Sequence, residues 1–224
     1  MPRIAVLIPA FNEEDLIGET VKAAVAMPGI DEIVVIDDGC EDETPFVAHE
    51  AGARVIQMFR NSGKGSALNR GVAETDADIY LIIDADLGAS AAETYRLLEP
   101  LLADQADMSI AIMRAPPGHK GGFGLVMKLA KWAVRKYGGV CVKAPISGQR
   151  AIRRELIEHI GGFERGFGVE TALTIDAARA GFRIVEVPLP LTHRLTGRDL
   201  KGFAHRARQF IDILRAVRKR RRVR

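Results

Sequence analysis

Ile79-Tyr-Leu-Ile-Ile-Asp84-Ala-Asp86 is the stretch on which the predicted fold depends. Its five strand-forming residues follow one another without polar interruption, which is typical of a strand buried on both faces in the middle of an α/β sheet. Two carboxylates follow at once. In such a sheet the carboxyl ends of parallel strands border the crevice where ligands bind, and carboxylates there can hold a hard divalent cation. The competing interpretation is that Asp84 or Asp86 caps a helix beginning near Ser90 or closes a turn.

Predicted strands and helices alternate along the rest of the chain. The strands are expected at 4–8, 32–36, 52–57, 79–83, 108–112 and 183–187, with Pro188 and Pro190 ending the last one. Helices are expected after Asn12, at 41–51, after the loop 60–65, after Leu87, at 125–137, after 154 and up to Ala180. A loop rich in glycine and proline, 115–123, is predicted to lie over the site. The alternation predicts a single α/β domain with a wound, mostly parallel sheet flanked by helices.

Composition narrows the class of protein. A chain of 224 residues with 27% charged and 47% hydrophobic residues is typical of a globular domain. No apolar run approaches the roughly 20 residues needed to cross a bilayer, and the opening segment is too short and too broken by Pro9 to be a signal peptide. Cys40 and Cys141 have no CxxC spacing, so free thiols in a reducing, cytoplasmic compartment are expected.

The segment Gly63-Lys64-Gly65-Ser66 invites comparison with a phosphate-binding loop. Position 58 is Met where the nucleotide-hydrolase motif has Gly, and Gly65 stands where Ser or Thr should follow the lysine. An ATPase loop is therefore excluded. A lysine in a glycine-flanked loop before a helix can still meet a phosphate, and a surface loop without a ligand is the alternative.

Seven short motifs, in order, resemble the family-two glycosyltransferases with the GT-A fold. They are Ile8-Pro-Ala-Phe-Asn-Glu-Glu14, Val35-Ile-Asp-Asp-Gly39, Gly63-Lys-Gly65, Asp84-Ala-Asp86, Ser147-Gly-Gln-Arg150, Gly168-Val-Glu170 and Glu186-Val-Pro188. Each motif is weak alone, and the ordered set, spanning roughly residues 4–194, is specific. The resemblance implies a metal-dependent glycosyltransferase domain over residues 1–201, with a Rossmann-like, GT-A sheet.

The resemblance also implies roles for individual residues. The donor, a UDP- or GDP-sugar, is expected to contact Pro9, Ala10, Phe11, Glu13, Asp38, Lys64 and Asp84. Asp84 and Asp86 are expected to hold Mg²⁺ or Mn²⁺ on the diphosphate, where the ion and Lys64 would stabilise the leaving group. Glu170 corresponds to an acidic residue near the acceptor and is expected to act as general base. A carboxylate that satisfies backbone donors at a helix start is the alternative.

Two branches of the family compete for the acceptor. Dolichyl-phosphate sugar transferases resemble the chain around Ser147–Arg150, and glucosyl-3-phosphoglycerate synthases resemble it around Glu170 and at His193-Arg194. The second branch implies His193 as a further metal ligand and Arg150, Arg194 and Arg198 as grips on an acceptor phosphate. Leu195 stands where that branch would have an asparagine, so a polyprenyl phosphate acceptor is slightly favoured here.

The C-terminal segment 202–224 is predicted to be a basic amphipathic helix with a tail. Residues 194–224 contain twelve Lys or Arg against Asp199 and Asp212. The apolar stripe of the helix is expected to pack on the domain or a second subunit, or on an anionic membrane at the inner face of the cell. Residues 218–222 are expected to be frayed and solvated. Nucleic-acid binding is disfavoured by the acidic body, and a non-catalytic nucleotide-binding module is the remaining alternative.

Overall fold

The structure is a computed structural model that describes residues 1–113, 124–164 and 168–191, together with Leu214, Arg218 and Arg220. One seven-stranded sheet organises the described chain. Its strands are β1 (Ile4–Ala10), β2 (Glu32–Asp37), β3 (Arg54–Gln57), β4 (Ile79–Ile82), β5 (Met108–Met113), β6 (Arg150–Arg153) and β7 (Ile184–Leu189). The order across the sheet is β3-β2-β1-β4-β6-β5-β7.

Helices cover both faces of this sheet. The α-helices are α1 (Glu14–Val25), α2 (Thr44–Glu50), α3 (Lys64–Glu74), α4 (Glu99–Leu102), α5 (Gly124–Ala133), α6 (Arg154–Ile160) and α7 (Val169–Arg179). A 3₁₀ helix, Gly88–Leu97, precedes α4, and a π-helical turn, Val134–Gly138, follows α5. The wound α/β fold predicted from the sequence is confirmed. The predicted loop 115–123 lies outside the described residues.

The core forms on both sides of the central strands. Along β1, Ile4, Val6 and Ile8 face one apolar cluster, whereas Ala5 and Leu7 face another. All five are buried, as a strand between two layers of helices requires. The first cluster packs against α1 and the 3₁₀ helix, and the second packs against α3, α6 and α7. The central strands are thereby fixed, and their carboxyl ends are held at one edge of the sheet.

One strand departs from the predicted pattern. The stretch 150–153 was expected only as a lead into a helix, but it forms β6, which pairs antiparallel with β4 and β5. The other strand pairs are parallel. Because β6 runs backwards, its amino end lies where β4 has its carboxyl end, and Arg150 pairs with Ile82. This reversal brings the segment before Arg150 to the ligand edge.

The helix expected after Asn12 is α1, which begins at Glu14. Asn12 itself has a left-handed backbone (φ 55°), and its side-chain oxygen accepts a hydrogen bond from the Glu41 amide. The helix expected after Leu87 is present and begins as a 3₁₀ helix. One smaller expectation is wrong. The last strand continues through Pro188 to Leu189, which an edge strand tolerates because one side of it has no ladder to complete.

The C-terminal segment is described at three positions only, all of them helical. Leu214 and Arg218 are exposed, but Arg220 is held by carboxylates of the domain, so the expectation of a fully solvated 218–222 is wrong at that residue. In the described part of the chain, no helix has the length and apolar character that a membrane span requires.

Candidate active site

Carboxylates gather where the central strands end. Asp37 is the last residue of β2, Asp38 follows it, and Asp84 lies two residues beyond β4. Strands β1 and β4 are neighbours although helices and two other strands separate them in sequence, so the winding direction changes between them. Ligands of open α/β sheets bind outside the carboxyl ends at such a switch point.

Lys64 joins two of the predicted site residues. As the first residue of α3, it extends its ammonium to Oδ1 of Asp84 at 2.6 Å and to Oε1 of Glu170 at 3.1 Å. Burial disfavours the charged ammonium, but the negative charges of Asp84 and Glu170 outweigh that effect and raise the pKa of Lys64. The chain therefore keeps a permanent cation between the carboxylate that follows β4 and the one in the first turn of α7.

Gln149 holds the other side of the Asp84 carboxylate. Its side-chain amide donates to Oδ2 of Asp84 at 2.6 Å, and Ser147 donates to the Gln149 oxygen at 3.3 Å. Gly148 makes this approach possible. A Cβ at that position would lie 2.5 Å from Oδ2 of Asp84 and 2.6 Å from Nζ of Lys64, so no larger residue fits without moving both groups.

Arg150 has a structural role in place of the predicted acceptor contact. It is only 1% exposed, and its guanidinium donates to the carbonyl oxygens of Ser147 and Pro145 and to the hydroxyl of Thr174. Burial lowers the pKa of Arg150 to about 10, which still leaves it charged at neutral pH. The guanidinium therefore holds the loop 143–149 against α7. Because the side chain is buried in these contacts, the prediction that it binds an acceptor phosphate is wrong.

The Glu186-Val-Pro188 motif acts on the same loop. The Glu186 carboxylate accepts backbone hydrogen bonds from Lys143 at 2.7 and 2.9 Å and from Ala144 at 2.7 Å. A carboxylate that satisfies two consecutive amides fixes the start of the loop 143–149. The motif lies within β7, far from Asp84 in sequence. It nevertheless holds the segment that carries Gly148 and Gln149.

An open cleft of about 550 Å³ lies beside this cluster, at the ends of β1, β2 and β3. That volume is in the range of small-ligand sites. Phe11, predicted to contact the donor base, lines the cleft and is 41% exposed. The other lining residues are Asp37, Gly39, Cys40, Glu41, Gln57, Met58, Phe59, Arg60 and Asn61.

Two aspartates shape the walls of this cleft. Asp38 accepts hydrogen bonds from the amides of Ser62 and Gly63 at 2.8 and 2.7 Å, which holds the loop before Lys64. Asp37 accepts one from the Cys40 amide at 2.7 Å. Burial, together with Asp37, raises the pKa of the Cys40 thiol to about 12, so this thiol is neutral at physiological pH.

The other predicted donor residues lie around the start of α1. Pro9 and Ala10 end β1, with Ala10 paired to Asp37 in the sheet. The Glu13 amide donates to the hydroxyl of Thr44 at 2.8 Å, and its carbonyl accepts from the first turn of α1. Their contact with a donor stays a prediction.

The predicted metal ligands are divided between described and undescribed parts of the chain. Asp84 and Asp86 follow β4 and are both half-buried. Their oxygens suit Mg²⁺ or Mn²⁺, which prefer hard ligands. Over residues 1–113, 124–164 and 168–191 and the three tail positions, no three His, Cys, Asp or Glu side chains form a ready metal site. His193, Arg194 and Arg198 lie outside the described residues, so two carboxylates are what the described chain offers an ion.

Sequence reasoning missed three of these features. Gln149 belongs to the Ser147–Arg150 motif, but no role was predicted for it, because the strand β6 that places it beside Asp84 is not evident from the sequence. Cys40 and Gln57 line the cleft, and only their positions next to the ends of β2 and β3 could have indicated it.

Comparison with known proteins agrees with this geometry. The family model described as glycosyl transferase family 2 matches residues 5–161. Glucosyl-3-phosphoglycerate synthase of Mycolicibacterium smegmatis is 33% identical over 94% of this chain and 76% of its own length. Dolichol-phosphate mannosyltransferase of Pyrococcus furiosus is 28% identical over 89% of this chain and 60% of its own length.

Solved structures give the same result. Glucosyl-3-phosphoglycerate synthase of Mycobacterium tuberculosis in complex with Mn²⁺, UDP and phosphoglyceric acid superposes with a TM-score of 0.82 and 30% identity. The match covers 98% of this chain and 78% of that one. The complex of the same enzyme with Mn²⁺, UDP-glucose and phosphoglyceric acid gives 0.80 and 32%. The slight preference for a polyprenyl phosphate acceptor receives no support from these neighbours.

The predicted family is thus confirmed by the family model, by the relatives and by the fold. The chain belongs to glycosyltransferase family 2 and is a glycosyltransferase with the GT-A fold.

Proposed function

We propose that the protein transfers a hexosyl group from a UDP-sugar to a small phosphorylated acid of the phosphoglycerate type, with Mg²⁺ or Mn²⁺. The observation that carries this proposal is the Asp84–Lys64–Glu170 cluster beside an open cleft, in a fold shared almost over its full length with synthases that bind UDP-glucose and phosphoglyceric acid. A lipid acceptor is the weaker candidate. The dolichol-phosphate mannosyltransferase of Pyrococcus furiosus is 28% identical to this chain, whereas the synthase of Mycolicibacterium smegmatis is 33% identical.

We expect the two halves of the donor to lie in different parts of the site. Its nucleoside would occupy the cleft, where the half-exposed ring of Phe11 offers a flat face and Asp37 and Gln57 offer polar groups. Its diphosphate would lie toward Lys64, with Pro9, Ala10, Glu13 and Asp38 around the ribose. An ion held by Asp84 and Asp86 would supply positive charge to the diphosphate as it leaves.

The residues of the chain divide the remaining work. Lys64 carries its charge permanently, so it can stabilise the leaving diphosphate without taking up a proton. Oε1 of Glu170, in the first turn of α7, lies 3.1 Å from Nζ of Lys64. From this position the carboxylate can accept the proton of the acceptor hydroxyl. Gln149 keeps Asp84 oriented during this step. Arg194 and Arg198 are the proposed partners of the acceptor phosphate.

The test is a screen for released nucleoside diphosphate. Purified full-length protein is incubated with UDP- or GDP-sugars, with Mg²⁺ or Mn²⁺ or with a chelator, and with or without 3-phosphoglycerate. We expect UDP release that needs both the metal and phosphoglycerate. A strict preference for GDP-sugars would contradict the proposed donor, and release unaffected by phosphoglycerate would contradict the proposed acceptor.

A further inference from the structure

Arg220, in the basic C-terminal segment, is docked on the domain. Its Nε donates to Oδ1 of Asp176 at 2.7 Å, and its Nη2 pairs with Oδ2 of the same carboxylate. The side chain is only 11% exposed. Two parallel hydrogen bonds between a guanidinium and a carboxylate fix direction as well as distance, so this contact is a defined junction.

The same guanidinium also contacts a second carboxylate. Nη1 of Arg220 lies 3.3 Å from Oε2 of Glu164, and the backbone carbonyl of Arg220 accepts a hydrogen bond from Arg179 at 3.0 Å. Asp176 and Arg179 belong to α7, whereas Glu164 belongs to the stretch before it. Arg220 therefore links the two described stretches on either side of residues 165–167.

The linked stretches lead directly to the proposed site. A Cβ on Gly65, next to Lys64, would lie 1.9 Å from the carbonyl oxygen of Glu164, so the two backbones touch. Asn69 of α3 exchanges two hydrogen bonds with the backbone of Phe163, at 2.8 and 2.9 Å. These contacts fix the position of the stretch before α7 relative to α3. The first turn of α7 completes the connection through the Glu170–Lys64 ion pair.

We propose that Arg220 is a positioning residue for sugar transfer: its link between Glu164 and Asp176 sets the place of Glu170 opposite Lys64. The inference rests on the proposed role of Glu170. Without the guanidinium, the contacts that tie Glu164 and Asp176 to one side chain would be lost, and the junction would loosen. The start of α7 would then move relative to α3, and Glu170 with it.

Matched truncations and substitutions test the proposal. Deleting 221–224 removes three arginines but keeps Arg220, and deleting 220–224 removes one more residue. Arg220→Ala is paired with Arg218→Ala, which makes the same change of charge at an exposed position of the same segment. We expect deletion of 220–224 and Arg220→Ala to lower kcat by roughly ten- to a hundredfold, the scale of a displaced catalytic group, with the KM for donor little changed. The two controls should keep the wild-type kcat.

Three further tests separate positioning from general loss of structure. Arg220→Lys should recover part of kcat, because an ammonium can reach one carboxylate but cannot form the bidentate pair. If Arg220→Ala does not fold, Asp176→Asn carries the test, since it keeps the volume and weakens the same junction. Hydrogen exchange needs no substrate: amides at 161–164 and in the first turn of α7 should exchange faster in Arg220→Ala than in Arg218→Ala.

The outcomes distinguish this inference from the proposed function. Faster exchange confined to 161–164 and the start of α7 in Arg220→Ala, together with no transfer by the wild-type protein, would support the junction and contradict the proposed reaction. Transfer by the wild-type protein with unchanged kcat and unchanged exchange in Arg220→Ala would overturn the positioning role. An equal loss of kcat in Arg218→Ala would overturn it too, because the effect would then come from net charge.

Discussion

Nζ of Lys64 lies 2.6 Å from Oδ1 of Asp84 and 3.1 Å from Oε1 of Glu170, so a single cation joins the carboxylate after β4 to the one in the first turn of α7. The elements that supply these three groups are far apart in sequence. Because both carboxylates raise the pKa of Lys64, its ammonium stays charged at neutral pH. An added divalent cation would offset part of the negative charge that the diphosphate of the donor brings to this cluster.

The raised pKa of Lys64 predicts how stability depends on pH. A lysine with a raised folded pKa contributes its full stabilisation below its unfolded pKa of about 10.4 and loses it as pH rises through the folded value. The difference in unfolding free energy between wild type and Lys64→Met should thus be equal at pH 7 and pH 9 in urea titrations. If the difference vanished between pH 7 and pH 9, burial would outweigh the carboxylates and the pKa of Lys64 would be lowered. Lys131→Met, at an exposed site, is the control.

Asp86→Ala removes a carboxylate from the proposed metal site. A methyl group cannot replace an oxygen ligand, so metal-dependent UDP binding should disappear in calorimetry while the circular dichroism spectrum stays unchanged. Asp76→Ala is the matched control, since Asp76 is an exposed carboxylate before the other end of β4. Unchanged UDP affinity in the presence of Mn²⁺ would make Asp86 a turn residue.

Glu170→Gln separates chemistry from binding. Donor affinity should survive, whereas kcat should fall by roughly 10² or more, the scale of a lost general base. Glu155→Gln, an exposed acidic residue in the first turn of α6, tests whether any carboxylate at a helix start has this effect. Normal turnover in Glu170→Gln, or a loss of stability equal in both variants, would favour the helix-start interpretation of Glu170.

Gly148→Ala should damage the site more than the fold. The added methyl would meet the ends of the Asp84 and Lys64 side chains at 2.5 and 2.6 Å, and such ends can move without disturbing the core. We expect donor affinity to fall at least tenfold, with little change in melting temperature. Gly124→Ala, whose new methyl would have no heavy atom of the described residues within 4 Å, should behave as wild type. Equal donor affinity in both variants would show that the orientation of Asp84 does not matter.

Much of the fold could be predicted because the central strands are strongly apolar and the apolar residues of the flanking helices recur at helical spacing. Strand β6 could not be, since Arg150-Ala-Ile-Arg153 is only four residues long and has arginines at both ends. Its strand character comes from pairing with β4 and β5 on both sides. Pro188 was misread for a related reason: a proline ends a central strand, and only the sheet order shows that β7 lies at the edge.

The site was predictable where residue type and strand ends coincide, as at Asp84 and Lys64. Arg150 shows the limit of that reasoning. A phosphate grip and a buried brace both need an arginine, and the sequence does not say that three acceptors of the chain, two carbonyls and the Thr174 hydroxyl, surround this one. The Arg220 junction was hidden for the same reason, because a run of basic residues looks solvated until its carboxylate partners are seen in space.

A competition between acceptors tests the central claim most directly. Radiolabelled UDP-glucose and Mn²⁺ are given to the full-length protein with equimolar 3-phosphoglycerate and a short polyprenyl phosphate in one detergent-containing reaction. The label is then partitioned between water and organic solvent. The account predicts a phosphatase-sensitive, water-soluble product that contains both the label and phosphoglycerate, and none in the organic phase. Transferred label that is found only in a lipid product in the organic phase would contradict the account.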